Sequence, residues 1–139
     1  MDRPSGKEQS LVRATVNDLR RTRFPITVTC GEHPFDATLL ARALRDRLGL
    51  RFRALWVDAA RVATALFPQL HGENWGLDQW LAYFGIENYA RHDALADAFS
   101  TAQLFLVLLE RASSQGIGDA RALIGIGRAQ HELTRWLSR

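Results

Sequence analysis

Apolar side chains recur along this chain in short, changing periods. Leu11, Val12, Val16 and Leu19 are spaced for one face of a helix, and Ser10 is placed to cap it, which predicts a helix over 10–21. Pro25 ends that pattern. Ile26-Thr27-Val28-Thr29-Cys30 is β-branched and bounded by Pro25 and Gly31, a strand signature. Phe35, Leu39, Leu40 and Leu44 then form a helical stripe over 35–48, closed by Gly49. Leu55-Trp56-Val57 reads as a second short strand, and Asp58 is placed to cap a helix ending at Phe67-Pro68.

The C-terminal half reads as helices. Residues 70–76 are a polar loop, and Leu77–Phe84 is a short helix stopped by Gly85. Asp93 is positioned to cap a long helix to about Ala112, with Ala94, Ala98, Thr101, Ala102, Phe105 and Leu109 on one face. A last helix over roughly 119–138 carries Leu123, Ile126, Leu133 and Trp136. Trp56, Trp80 and Trp136 occupy apolar positions and are expected in the core. The order predicts an α/β fold: two short strands joined by a helix, hence parallel, plus several helices. Residues 1–9 are expected to be disordered, and 10–139 to form a single domain.

Composition sets limits. Of the 139 residues, 47% are hydrophobic and 24% charged, ordinary for a globular chain. The longest apolar run, Leu104–Leu109, is far too short to span a bilayer, so no membrane is expected as partner. MDRPSGKEQS has no apolar stretch of a signal peptide, which points to the cytoplasm. The single cysteine, Cys30, excludes an internal disulfide. Net charge is +3 and the pI about 9.7, which permits a polyanionic partner. Lys7 is the lone lysine beside seventeen arginines, a bias that codon composition explains as simply as phosphate binding.

The chemistry concentrates in Arg91-His92-Asp93-Ala94-Leu95-Ala96-Asp97-Ala98. Five residues along a helix turn through about 140°, so His92 and Asp97 share a site only if His92 precedes the helix that Asp93 caps. This segment and its flanks, Leu77–Leu81, Phe84–Ile86 and Thr101–Leu106, resemble the third motif of the DEDDh-type 3'–5' exonucleases, a His, four residues, then an Asp. Pro34-Phe35-Asp36-Ala37 after the first strand resembles the second motif, and Trp56-Val57-Asp58 resembles a strand-end Asp of the same family. The resemblance covers about residues 24–112. It implies an RNase H-like fold. It also implies removal of 3' nucleotides from DNA or RNA with two Mg²⁺ or Mn²⁺ ions, Asp36 and Asp97 as metal ligands, and His92 as general base. Asp58 is expected to cap and orient.

The family's first motif, Asp-x-Glu on an early strand, does not occur in these 139 residues. The expectation is therefore an RNase H-like exonuclease fold lacking its N-terminal strands, inactive or incomplete as this chain alone. The alternative is a non-catalytic module that binds nucleic acid or protein. Lacking those strands, the edge at Ile26–Cys30 is expected to be covered by a second copy, a partner chain or the N-terminal helix. A basic helical DNA-binding domain is a third reading, disfavoured by the two strands. Other residues divide between roles. Asp36 also suits a helix-start acid. Gly116-Ile117-Gly118 suits a helix-ending loop better than a phosphate site. Trp75 either stacks on a base or packs over the core. Arg20, Arg21 and Arg23 either contact phosphates or form a solvated helix end. His71 and His131 are expected on the surface.

Overall fold

A computed structural model describes residues 26–30, 33–51, 54–70 and 75–137, with backbone alone for residues 26 and 33–36. The fold is α/β and mostly helical, with five helices and two short parallel strands. In chain order these are β1 (Ile26–Thr29), α1 (His33–Leu48), β2 (Leu55–Asp58), α2 (Ala59–Leu66), a 3₁₀ turn (Pro68–Leu70), α3 (Leu77–Phe84), α4 (Ala94–Ser114) and α5 (Ala120–Leu137). The strands form one two-stranded sheet. The helix expected over 10–21 lies outside the described residues, as do the chain start at 1–9, Arg20, Arg21, Arg23 and His71.

The chain divides into two compact units, one formed by residues 1–27 and 34–55 and the other by 28–33 and 56–139. Within the smaller, Leu44 and Leu48 of α1 are buried against Leu50. The expected stripe was longer. Leu39 and Leu40 are exposed, and among the described residues the apolar cluster lies at the C-terminal end of the helix; the Phe35 side chain is outside the described set.

The larger unit is built on α2. Ala59, Ala60, Val62, Ala63 and Leu66 are all buried. Alanines keep the helix slim, and α3, α4 and α5 all pack close to it or to each other across it. At Gly127 of α5 an added Cβ would lie 3.4 Å from Val62, so the two helices nearly touch there. Val57, Trp80, Leu81, Leu104, Leu108 and Leu123 complete the core. Trp80, 1% exposed, is ringed by Phe67, Trp75, Tyr83 and Phe84, and Arg111 sits 5.2 Å above the Phe67 ring. Trp75 meets Trp80 edge-on at 4.8 Å, so it packs over the core.

Three helix ends are fixed by glycine in the left-handed conformation, Gly49 at φ 63° after α1, Gly85 at φ 66° and Gly116 at φ 79°. Past Gly49, Leu50 N–H reaches back to Leu44 O at 3.1 Å. Past the other two, the next amides likewise reach back across the last turn, Ile86 N–H to Leu81 O and Ile117 N–H to Ala112 O, both 2.9 Å. Each isoleucine then packs on the core. The Gly116 loop thus closes a helix.

Two expected faces are corrected. The buried residues of α4 are Ser100, Thr101, Leu104, Leu108 and Ala112. Ala94, Ala98, Ala102 and Leu109 are exposed. Alanines and leucines surround this helix, so spacing alone does not select its inner side. Trp136 is 72% exposed and outside the core. The cause is length: α5 is about 27 Å long and α2 about 12 Å. Beyond Gly127 the last helix overruns its support.

Asp58 starts α2 by accepting hydrogen bonds from the amides of Ala60 (3.0 Å) and Arg61 (3.4 Å). Asp58→Ala should cost about 1–2 kcal/mol, with Asp58→Asn recovering much of it. Urea unfolding of the two variants checks this, and equal losses from both would assign the effect to the lost charge instead.

Candidate functional site

The site expected from the sequence is built where the loop after α3 turns into α4. Asp93 caps α4, accepting from the amides of Leu95 (3.1 Å) and Ala96 (3.0 Å). That leaves His92 outside the helix, as the capping pattern requires. Its φ is 72°, and among the described residues it is the one non-glycine in the left-handed region. Histidine tolerates this conformation better than bulky or β-branched residues. His92 is exposed, and its imidazole makes no hydrogen bond to the described residues. Among the described residues, nothing uses the ring.

Asp97 lies in the first turn of α4, half-buried, and both carboxylate oxygens are taken. Oδ1 accepts from Asn88 Nδ2 at 2.8 Å, and Oδ2 accepts from Arg91 Nη1 at 2.6 Å. Arg91 also donates through Nε to Asp78 in the first turn of α3. The guanidinium therefore bridges two helix starts. Charge-assisted bonds of this kind are the stronger class, and the hydrogen bond to Asp78 is the main cause that raises the Arg91 pKa. Asn88 is fixed in turn, its Oδ1 accepting from the Ala90 amide at 3.1 Å.

A second polar group lies at the end of β2. Asp58 is buried, caps α2 with Oδ1, and pairs through Oδ2 with Arg61 Nε at 3.2 Å. It holds a helix and an arginine, the orienting role expected of it. Cys30, just after β1, is half-buried against the same core. Burial, and next the negative charge of Asp58, push its thiol up to about 12, while the Ala60 amide acts in the opposite direction. It is a packing residue with little thiolate at neutral pH. Arg61, Arg128, Trp56 and Gly127 border a cleft of about 50 Å³ beside Asp58. It holds a water or two and is too small for a nucleobase.

His92 and Asp97 are thus brought to one loop-helix junction. Asp36 is in α1, with its side chain outside the described set, and α1 belongs to the other unit. Among the described residues, no three His, Cys, Asp or Glu side chains converge to hold a metal ion. With both Asp97 oxygens engaged by nitrogen donors, the described residues do not fit a two-ion site. Sequence reasoning missed Asn88, Arg91 and Asp78 as a set. Arg91 adjoins His92 and was visible, whereas its 13-residue reach back to Asp78 carries no local signal.

Comparison with protein-family models, with curated proteins and with solved structures returned no significant match.

Arg91→Ala should free both carboxylates and loosen residues 86–93. The expected cost is on the order of 1 kcal/mol, because these groups are partly solvated and screened, with faster amide exchange confined to that loop. Unchanged exchange there would mean that something other than Arg91 holds it. Cys30 should react with iodoacetamide at pH 8 at least about 100-fold more slowly in the folded chain than in denaturant. Its raised pKa also has a stability consequence. Above the unfolded value of 9.0 the unfolded chain loses the proton first, so stability should fall as pH rises from 9.0 toward about 12. Equal alkylation rates in both states would show the thiol to be accessible and ionised.

Proposed function

We propose that this chain carries a DEDDh-type 3'–5' exonuclease scaffold of the RNase H-like kind and that, alone, it binds the 3' end of a DNA or RNA strand without cutting it. The observation that carries this reading is His92. It is exposed, held at φ 72° directly before the helix cap, and its ring is unused by the described residues, five residues ahead of Asp97. A strained residue with no structural partner is a reason to look for a ligand. Around it, the sequence order supports the same reading: a strand, Asp36 opening a helix, a strand ending in Asp58, and then the His92–Asp97 junction.

The non-cutting half of the proposal rests on Asp97. Its carboxylate is paired with Arg91 and hydrogen-bonded by the Asn88 amide. Arg91 is shared with Asp78 as well, so the exposed His92 is the donor left to meet a phosphate. Binding by such groups is electrostatic and salt-dependent.

A second reading keeps the activity. Hydrolysis with Mg²⁺ or Mn²⁺ would need carboxylates beyond those described in this chain, supplied by another polypeptide, to join Asp36 and an Asp97 freed from Arg91 and Asn88.

Fluorescence anisotropy with 5'-labelled single-stranded DNA and RNA, whose 3' ends are free, separates these readings. Binding should persist in EDTA, weaken steeply with added salt, and fall about 10-fold in His92→Ala, the loss of one hydrogen bond to a charged group. No 3' nucleotide should be released when Mn²⁺ is added. Absence of binding to either strand would overturn the proposal. Mn²⁺-dependent release abolished by both His92→Ala and Asp97→Ala would replace it with the second reading.

A further inference from the structure

The outer face of α4 is apolar, and no other described residue covers it. Leu95 is 80% exposed, Phe99 65%, Leu106 66% and Leu109 38%, with exposed Ala102 between them. From Leu95 to Ser113 these positions advance by four, three, four, three and four residues. That is a 3.5-residue repeat, the seam of a coiled coil, and it differs from the broad stripe by which a helix joins a globular core. The core face of the same helix, Ser100, Leu104 and Leu108, lies on its opposite side and is already satisfied. Its polar members cause no conflict there, since the Ser100 hydroxyl bonds back to Ala96 O at 2.7 Å.

We infer that this seam is the interface of a homodimer, in which α4 pairs antiparallel with α4 of a second copy. Three observations select that occupant. First, the period fits a helix, whereas a flat or irregular partner has no use for it. Second, the positions flanking the seam and outside the core, Ala96, Ala98, Gln103 and Glu110, carry a single charge. A charged partner would gain nothing there, and a second copy meets no row of like charges. Third, the antiparallel register sets large side chains against small ones at two positions, Ala102 against the partner's Leu106 and Leu95 against the partner's Ser113, and pairs Phe99 with the partner's Leu109. Each contact occurs twice about a two-fold axis, as a closed dimer requires.

The area fits a weak, reversible dimer. A 21-residue helix is about 31 Å long and 10–12 Å across. The strip that meets a second helix is therefore roughly 340 Å² on each copy and about 700 Å² in all, the size of a weak association.

Sedimentation equilibrium of the full chain from 1 to 200 µM tests the inference. A monomer–dimer equilibrium is expected within that range. Leu106→Glu should weaken it at least about 30-fold, the effect of losing a central contact. Because Leu106 faces solvent, the variant should keep its far-ultraviolet circular dichroism. Leu133→Glu, on the exposed end of α5, should leave the dimer constant within about twofold. Nitroxides on Ser113→Cys in a Cys30→Ala background should lie roughly 27 Å apart, eighteen residues of helix rise. A monomer at 200 µM overturns the inference, whether the face is then bare or covered by the chain's own N-terminal segment. A dimer insensitive to Leu106→Glu also overturns it and moves the interface elsewhere, the β1 edge being the next place to look. A label separation near 10 Å overturns the antiparallel pairing.

Discussion

A two-turn helix does not hold together in water by itself, yet the larger unit is organised around one. α2 survives because it is clamped rather than because it is intrinsically stable. Asp58 supplies its first hydrogen bonds, and five of its eight residues are buried. Its alanines bring neighbouring helices to within contact distance, with Gly127 as the point of closest approach. The same carboxylate that starts α2 also holds Arg61 and raises the thiol of Cys30. Remove that cap, and the packing of the other helices loses the surface it was built upon.

The candidate site inherits its order from this arrangement. α3 and α4 are set by their packing on the α2 core, so Asp78 and Asp97 stand at two helix starts within reach of one guanidinium. Helix starts favour carboxylates because unpaired amides gather there. Two such starts side by side create a concentration of negative charge that needs a cation. Arg91 provides it from within the chain. His92, the next residue, is thereby turned outward, and its exposure is a consequence of where its neighbour is anchored.

Much of this was legible in the residues. Element order and bounds followed from Asp58, Asp93, Gly49 and Gly85, because caps and left-handed glycines leave strong local signatures. The position of His92 ahead of the helix followed from Asp93. The failures share a cause. The inner face of α4 was misjudged because Ala94, Ala98 and Ala102 weigh little in any periodicity, while two separate stripes of larger residues compete on one helix. Trp136 was expected in the core because its own spacing fits, but burial depends on whether a neighbour extends that far. Asn88, Arg91 and Asp78 form a set only in three dimensions. Whether the site cuts nucleic acid was never legible from His92 and Asp97 alone, since that turns on what else their side chains hold.

The Arg91 bridge has a consequence of its own. A bound metal ion exchanges with the medium, so a loop organised by metal responds to how much of that ion is free. A guanidinium is tethered and keeps its charge at any pH that leaves a protein folded. The part of the loop that Arg91 holds therefore takes its shape from a tether that is part of the chain, and a chelator has nothing to remove from that contact.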